Sequence, residues 1–227
     1  MENVLTLPDN IVKDFVGDRR FIKVKGHMGE SELRLDPGAP ITMGPFDLQD
    51  FYFEHKLQQV EAMSRALEAI PDIDAEYEAL SGRGYRLIEP YMVDDAELVL
   101  VGLGSTMGTV SYVVDKLREK GVKAGLVKIR VFRPFPKEEL AKTLRNIPAV
   151  GVLDRAISFG APNGPLCEEV KTAFYEEKDR PLIANFIHGL GGRDTSPSMI
   201  EGIFHKLEKI KSMGRVDKLI DYVGVRE

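Results

Sequence analysis

Two kinds of apolar pattern divide the chain. Between residues 51 and 81, Leu57, Val60, Met63, Leu67 and Ile70 recur at spacings of three or four, which puts them on one face of a helix. Pro71 is expected to stop that helix, because proline lacks the N–H that the next turn needs. Asp72 then caps a second, shorter helix through Ala79, with Gly82 and Gly84 closing it. Residues 85–93 form a link that includes a short strand. From Ala96 onward, short β-rich runs alternate with helical stripes. Residues 98–101 are a buried strand ending at Gly102, and Val110, Val113, Val114 and Leu117 form a helical stripe ending at Gly121. Residues 126–132 are a second strand, and a helix starting at Pro136 carries Leu140, Leu144 and Ile147 inward. Residues 149–153 are a third strand, and Leu166, Val170 and Phe174 mark its helix. Residues 181–187 are a fourth, and Ser196-Pro197 opens a last helix with Ile200, Phe204, Leu207 and Ile210 on one face.

Four strand–helix repeats of this length imply right-handed βαβ units. The predicted fold class is therefore α/β: a mostly parallel open sheet with helices on both faces. Before it, residues 1–50 are punctuated by Asp36-Pro37-Gly38-Ala39-Pro40 and Gly44-Pro45, which argues against long regular elements. The expected layout is an extended arm or linker over 1–50, a helical connecting segment over 51–93, the α/β domain over 94–213 and a tail over 214–227. So long an irregular arm is expected to lie against something else. The tail, with Val216, Leu219, Ile220 and Val223, is expected to form a short docking helix.

Composition narrows the function classes. At 227 residues the chain is one large domain or two small ones. With 43% hydrophobic and 30% charged residues it reads as globular. A net charge of −5 with no long Lys/Arg run lacks the electrostatic footprint of a nucleic-acid or anionic-membrane binder. Cys167 is alone, so the chain makes no internal disulfide and cannot ligate an Fe–S cluster by itself. There is no HExxH, no zinc spacing and no 18-residue apolar run. The opening Met1-Glu2-Asn3-Val4-Leu5-Thr6-Leu7-Pro8 lacks the basic and apolar regions of a signal peptide, so the expected compartment is cytoplasmic.

In an open α/β sheet, ligands bind beyond the carboxyl ends of the strands, which selects four loops: 102–108, 133–136, 154–164 and 188–195. The first, Gly102-Leu103-Gly104-Ser105-Thr106-Met107-Gly108, opens a helix as a dinucleotide loop does, but its third glycine comes one residue late. It either holds an anion at the helix N-terminus or serves a tight turn and close packing. Arg133 either clamps an anion or pairs with Asp154 or a partner subunit, and the pairing is the preferred reading. Asp154 and Arg155 are adjacent and point to opposite sides, so they are no ready-made catalytic pair. Residues 159–165 read as an interface or turn loop. In His188-Gly189-Leu190-Gly191-Gly192-Arg193-Asp194, the glycines suit a close approach to backbone. Gly191 and Gly192 suit an anion nest with Arg193 nearby. His188 is either a general base or, preferably, a hydrogen-bonded structural residue. Ser105 is not in a GxSxG elbow and there is no Walker A loop. No catalytic set is legible. The chemistry alone leaves a stand-alone α/β module that binds an anionic metabolite or nucleotide at the strand ends as one reading.

Several segments in order carry a resemblance: Gly82-Arg83-Gly84-Tyr85, Ile88-Glu89-Pro90-Tyr91, Asp94-Asp95-Ala96-Glu97, Arg130-Val131-Phe132-Arg133-Pro134-Phe135-Pro136, Leu153-Asp154-Arg155 with Ser158-Phe159-Gly160, and Gly189-Leu190-Gly191-Gly192-Arg193-Asp194. Together they resemble the alpha subunit of pyruvate:ferredoxin oxidoreductase and related 2-oxoacid:ferredoxin oxidoreductases, in its C-terminal half, the domain similar to the transketolase C-terminal domain. The resemblance implies a non-catalytic structural and assembly role. It implies that thiamine diphosphate, Mg²⁺ and Fe–S clusters belong to the assembled enzyme, none being bound by this chain alone. The implied partners are the enzyme's other domains and subunits, with ferredoxin and CoA at the level of the complex, and no nucleic acid or membrane. No catalytic residue of the family maps onto this chain. Gly104, Ser105, Arg133, Asp154, Arg155, Gly191, Gly192, Arg193 and Asp194 are the candidate interface or anion-binding residues.

Overall fold

A computed structural model describes residues 48–226. The chain divides into a unit ending at Gly84 and a unit running from Tyr85 to Glu227. All but the last residues of the expected arm lie outside the described residues.

Among the described residues, the first unit holds α1 (Tyr52–Ser81), with Pro71 inside it. The expected break at Pro71 does not occur. Proline forfeits one hydrogen bond but keeps a helical φ, and strong helix formers flank it on the N-terminal side in Ala66-Leu67-Glu68-Ala69. Asp72 therefore sits within the helix instead of capping a second one. The helix ends where expected: Gly82 takes the left-handed conformation (φ 70°) and its N–H reaches the Glu78 carbonyl at 2.8 Å. The apolar stripe is not buried along its length, since Leu57, Val60 and Met63 are exposed.

The second unit is a six-stranded sheet with helices on both faces. Its elements are β1 (Ile88–Tyr91), β2 (Leu98–Leu103), α2 (Thr106–Glu119), β3 (Ala124–Ile129), α3 (Lys137–Leu144), β4 (Ala149–Asp154), α4 (Pro165–Ala173), β5 (Leu182–Ile187), α5 (Pro197–Met213) and β6 (Ile220–Tyr222). The strand order is β1-β3-β2-β4-β5-β6. β1 is antiparallel to β3, and the other pairings are parallel. Strand alternation sorts the core into two layers. Leu98 and Leu100 of β2 pack with α2 and α5 through Val110, Val114, Phe204 and Leu207. Val99 and Val101 pack on the other face with Leu140, Leu144, Leu166 and Val170 of α3 and α4. Each such buried side chain contributes about 1.5–3 kcal/mol, which is why β2 reads as a continuous apolar run. Ser196 caps α5 by accepting the Met199 N–H at 3.3 Å.

Two boundaries differ from the expectation. β3 starts earlier than 126, because Ala124 and Gly125 already pair with Leu98 and Val99, and it ends earlier than 132, because the N–H groups of Arg130 and Val131 both turn to the Leu87 carbonyl. The tail is no docking helix. Residues Ile220–Tyr222 pair parallel with β5, and Val223 N–H reaches the Ile187 carbonyl at 2.8 Å. That strand covers an edge of β5 that would otherwise present unpaired backbone groups. The α/β unit thus takes in both the 85–93 link and the tail.

Candidate functional site

β2 sits between β3 and β4. The chain leaves β2 through α2 to β3 on one side, then crosses through α3 to β4 on the other. Strand order reverses there, and the carboxyl ends of β2 and β4 part to leave a crevice. It holds a cavity of about 460 Å³, lined from β2 and its loop by Leu103, Gly104, Ser105 and Thr106, and from β4 by Leu153, Asp154 and Arg155. Phe132, Leu166 and His188 also line it. A second cavity of about 320 Å³ shares Ser105, Thr106, Arg155 and His188 and continues past Gly192, Arg193, Asp194 and Thr195.

The local sequence explains each wall. Gly104 turns the chain from β2 into α2 at φ +69°, a conformation costly for any side chain. Ser105 precedes α2 without a side-chain cap bond, and the first turn carries no acidic residue. α4 is treated differently. The Asp154 carboxylate accepts the Leu166 N–H at 2.8 Å and the Cys167 N–H at 3.0 Å, the first amides of that helix. Asn185 Nδ2 donates to the same carboxylate at 2.9 Å, and Asn185 Oδ1 accepts the Gly164 N–H at 2.7 Å. A Cβ at Gly164 would stand 2.6 Å from the Asp154 Cβ, so only glycine admits this approach. Burial pushes the Asp154 pKa up, while its three donors pull the other way. Asp154 is a structural cap whose oxygens are already occupied.

Arg155 points away from Asp154, as expected of neighbours in an extended chain, and donates Nε to the Gly189 carbonyl at 3.1 Å. His188 is buried, with Nδ1 2.9 Å from Thr195 Oγ1. Burial, and secondarily the Arg155 charge, hold its pKa below the usual histidine value, so the imidazole is neutral at pH 7. After His188, Gly189, Gly191 and Gly192 all have positive φ around a 3₁₀ turn over Leu190–Gly192. Arg193 donates to the Gly224 carbonyl. Cys167 is fully buried, and its thiol pKa is pushed up to about 12 by burial.

The structure therefore brings together Gly104, Ser105, Asp154, Arg155, Gly192, Arg193 and Asp194. Gly191 lies on the adjoining turn without lining either cavity. Arg133 stands apart. It pairs with Glu169 at 2.6 Å, not with Asp154, and stacks 4.2 Å over the Phe132 ring, because Asp154 is already buried under α4. Asn185 was missed, although a lone amide inside the apolar run Leu182–Ile187 is itself a signal, since a buried polar group needs partners. Around the crevice, Leu103, Ile157 and Leu190 are exposed and Phe159 is fully so, at 104%. Among the described residues no group of three or more His, Cys, Asp or Glu side chains stands ready to hold a metal ion.

Residues 96–200 match the family described as pyruvate:ferredoxin oxidoreductase core domain II. That match covers most of the α/β unit. Over 204 residues the chain is 48% identical to the pyruvate synthase subunit PorA of Thermotoga maritima, covering 90% of this chain and 50% of that one. It is 38% identical over 226 residues to the ketoisovalerate oxidoreductase subunit VorA of Pyrococcus abyssi, covering 99% of this chain and 55% of that one. The chain thus spans about half the length of the curated relatives it matches. A solved split-gene transketolase, in an inactive β4 tetramer, aligns over 54% of this chain and 42% of that one at 17% identity and a TM-score of 0.43. Within the matched residues, the Arg130–Pro136 motif forms the loop between β3 and α3, and the Gly189–Asp194 motif forms the turn after β5. Both follow the carboxyl ends of their strands, and Phe132 of the first and Gly192, Arg193 and Asp194 of the second line the two cavities.

Proposed function

We propose that this chain is a structural and assembly part of the alpha subunit of a thiamine-diphosphate-dependent 2-oxoacid:ferredoxin oxidoreductase. The assembled enzyme decarboxylates a 2-oxoacid oxidatively, forms an acyl-CoA and passes electrons to ferredoxin in the cytoplasm. The 48% identity to a pyruvate synthase subunit supports pyruvate as the substrate. One structural observation carries the assembly role. The carboxyl edge of the core domain II sheet presents Leu103, Ile157, Phe159 and Leu190 to solvent, a cost that burial against a neighbouring domain removes. One cysteine cannot ligate an Fe–S cluster by itself, and among the described residues no group of three or more His, Cys, Asp or Glu gathers to hold a metal ion.

The test is pyruvate-dependent viologen reduction under anaerobic conditions with CoA, thiamine diphosphate and Mg²⁺. The chain alone is expected to be inactive, and activity is expected only with the remaining subunits present. Turnover by this polypeptide alone overturns the reading.

A further inference from the structure

A covalent hazard lies in the loop before α4. Asn163-Gly164 is the only Asn-Gly step in the 227 residues. At such a step the glycine amide nitrogen can attack the asparagine side-chain carbonyl, because no side chain obstructs it. Glycine cannot be exchanged here, since a Cβ would stand 2.6 Å from the Asp154 Cβ. Two contacts act on the reaction in opposite directions. The Gly164 N–H, whose proton the nucleophile must lose, donates to Asn185 Oδ1 at 2.7 Å. Asn185 is 1% exposed, and its Nδ2 donates to the Val152 carbonyl at 3.2 Å and to the Asp154 carboxylate at 2.9 Å. The acceptor is therefore fixed from both ends of its amide, and it holds the Gly164 nitrogen in place. On the other reacting group, Lys171 Nζ donates to Asn163 Oδ1 at 2.6 Å. That oxygen gains negative charge when its carbonyl is attacked, and a cation already on it favours the attack. The carbonyl is activated while the nucleophile is restrained.

We propose that Asn163 is a latent deamidation site, activated by Lys171 and held shut by Asn185. When the Gly164 N–H leaves Asn185, its nitrogen bonds to Asn163 Cγ and the Cγ–Nδ2 bond breaks. The amide proton departs with the side-chain nitrogen as ammonia, and a succinimide ring joins residues 163 and 164. Water then opens the ring at either carbonyl, giving aspartate or isoaspartate, with nothing oxidised or reduced. Aspartate sets a carboxylate against Lys171 in place of the amide. Isoaspartate adds a carbon to the backbone just before Gly164, which has no room to shift against Asp154. The Leu166 and Cys167 amides that Asp154 caps come next in the chain, and Pro165 and Leu166 line the crevice. Deamidation is thus an irreversible record of this wall having opened. It proceeds from the open form, so its rate follows the population of that form. The inference goes beyond the assembly role and does not depend on it.

The test incubates the full chain in mildly alkaline buffer and follows residue 163 by peptide mass spectrometry, with isoaspartate separated by chromatography. The folded wild type is expected to deamidate at least about tenfold more slowly than the same chain in urea, with its Gly164 N–H protected from hydrogen exchange. Asn185→Leu removes the acceptor and is expected to raise the folded rate about tenfold, the change in open population that one hydrogen bond supplies. Leu117→Ala is the control, because it weakens the core layer on the other face of the sheet and leaves Asn185 in place. Compared at urea concentrations that equalise global stability, it is expected to raise the rate less than Asn185→Leu. Adding Lys171→Met to Asn185→Leu is expected to slow the folded reaction severalfold and to leave the rate in urea unchanged. Five results overturn the proposal: wild type that deamidates as fast folded as in urea, a Gly164 amide that exchanges freely, a wild-type rate in folded Asn185→Leu, a Leu117→Ala rate equal to that of Asn185→Leu, or no effect of Lys171→Met on the folded chain. The first two are read on the wild type and need no variant to fold.

Discussion

Asp154→Ala removes three hydrogen bonds from one buried junction. Leu166 N–H, Cys167 N–H and Asn185 Nδ2 all donate to this carboxylate at 2.8–3.0 Å. The residue is 3% exposed, so water does not replace it freely. A buried donor left without a partner costs about 1–3 kcal/mol. Asn185 Nδ2 keeps its second bond, to the Val152 carbonyl, so the low to middle range applies to the three donors together. The expected loss is about 3–5 kcal/mol, a large share of the total stability of a domain. Asp154→Asn keeps the shape and one acceptor oxygen but turns an NH₂ toward a donor, for an expected loss of about 1–2 kcal/mol. Urea unfolding of the full chain, followed by far-ultraviolet circular dichroism, reads both. At a slope of about 2 kcal/mol per molar, the alanine variant shifts the midpoint by about 1.5–2.5 M and the asparagine variant by less than 1 M. Equal midpoints for wild type and Asp154→Ala would refute the assignment of Asp154 as the cap of α4.

Three further outcomes are expected. The Cys167 thiol, buried and with its pKa pushed up to about 12, resists a thiol-directed disulfide reagent in the native chain and reacts in urea; rapid native labelling contradicts its placement under α4. His188 has a folded pKa below its ordinary 6.5, so the unfolded chain takes up the proton first as pH falls. Its contribution is complete above pH 6.5 and is lost as pH drops through the folded pKa. The melting temperature of the wild type therefore falls on acidification through this window more steeply than that of His188→Gln, and parallel curves contradict a buried neutral imidazole. Phe159→Ser leaves the melting temperature of the chain within the small range usual for exposed positions, about 0.5 kcal/mol, because the ring is fully exposed. It weakens recovery of the assembled oxidoreductase, and unchanged recovery removes Phe159 from the interface.

Periodicity alone carried most of the α/β unit. Leu140, Leu144, Leu166, Val170, Phe174, Ile200, Phe204, Leu207 and Ile210 are all buried, because a 3.6-residue repeat against a sheet leaves few alternatives. What failed was tertiary. Pro71 marks a local cost, and the helix on either side of it outweighs that cost. The tail pattern around Ile220 suits a strand or a helix equally, and the open edge of β5 decides for the strand. At the site, the strand-end rule found the right loops, since it follows from chain direction. It did not show that Asp154 turns inward to cap α4, or that Arg133 turns outward to Glu169. Those choices depend on where α4 begins in space, and residue spacing does not encode that. The same holds for Asn185, whose partners come from β4 and the loop before α4.

Anaerobic affinity capture of the tagged full chain from the cells that make it tests the central claim most directly. The captured fraction is assayed for pyruvate-dependent viologen reduction and its polypeptides are identified. The account predicts that oxidoreductase activity and the thiamine-diphosphate and Fe–S polypeptides elute with this chain in fixed proportion. A folded chain that elutes alone, with all the oxidoreductase activity in the flow-through, would contradict it.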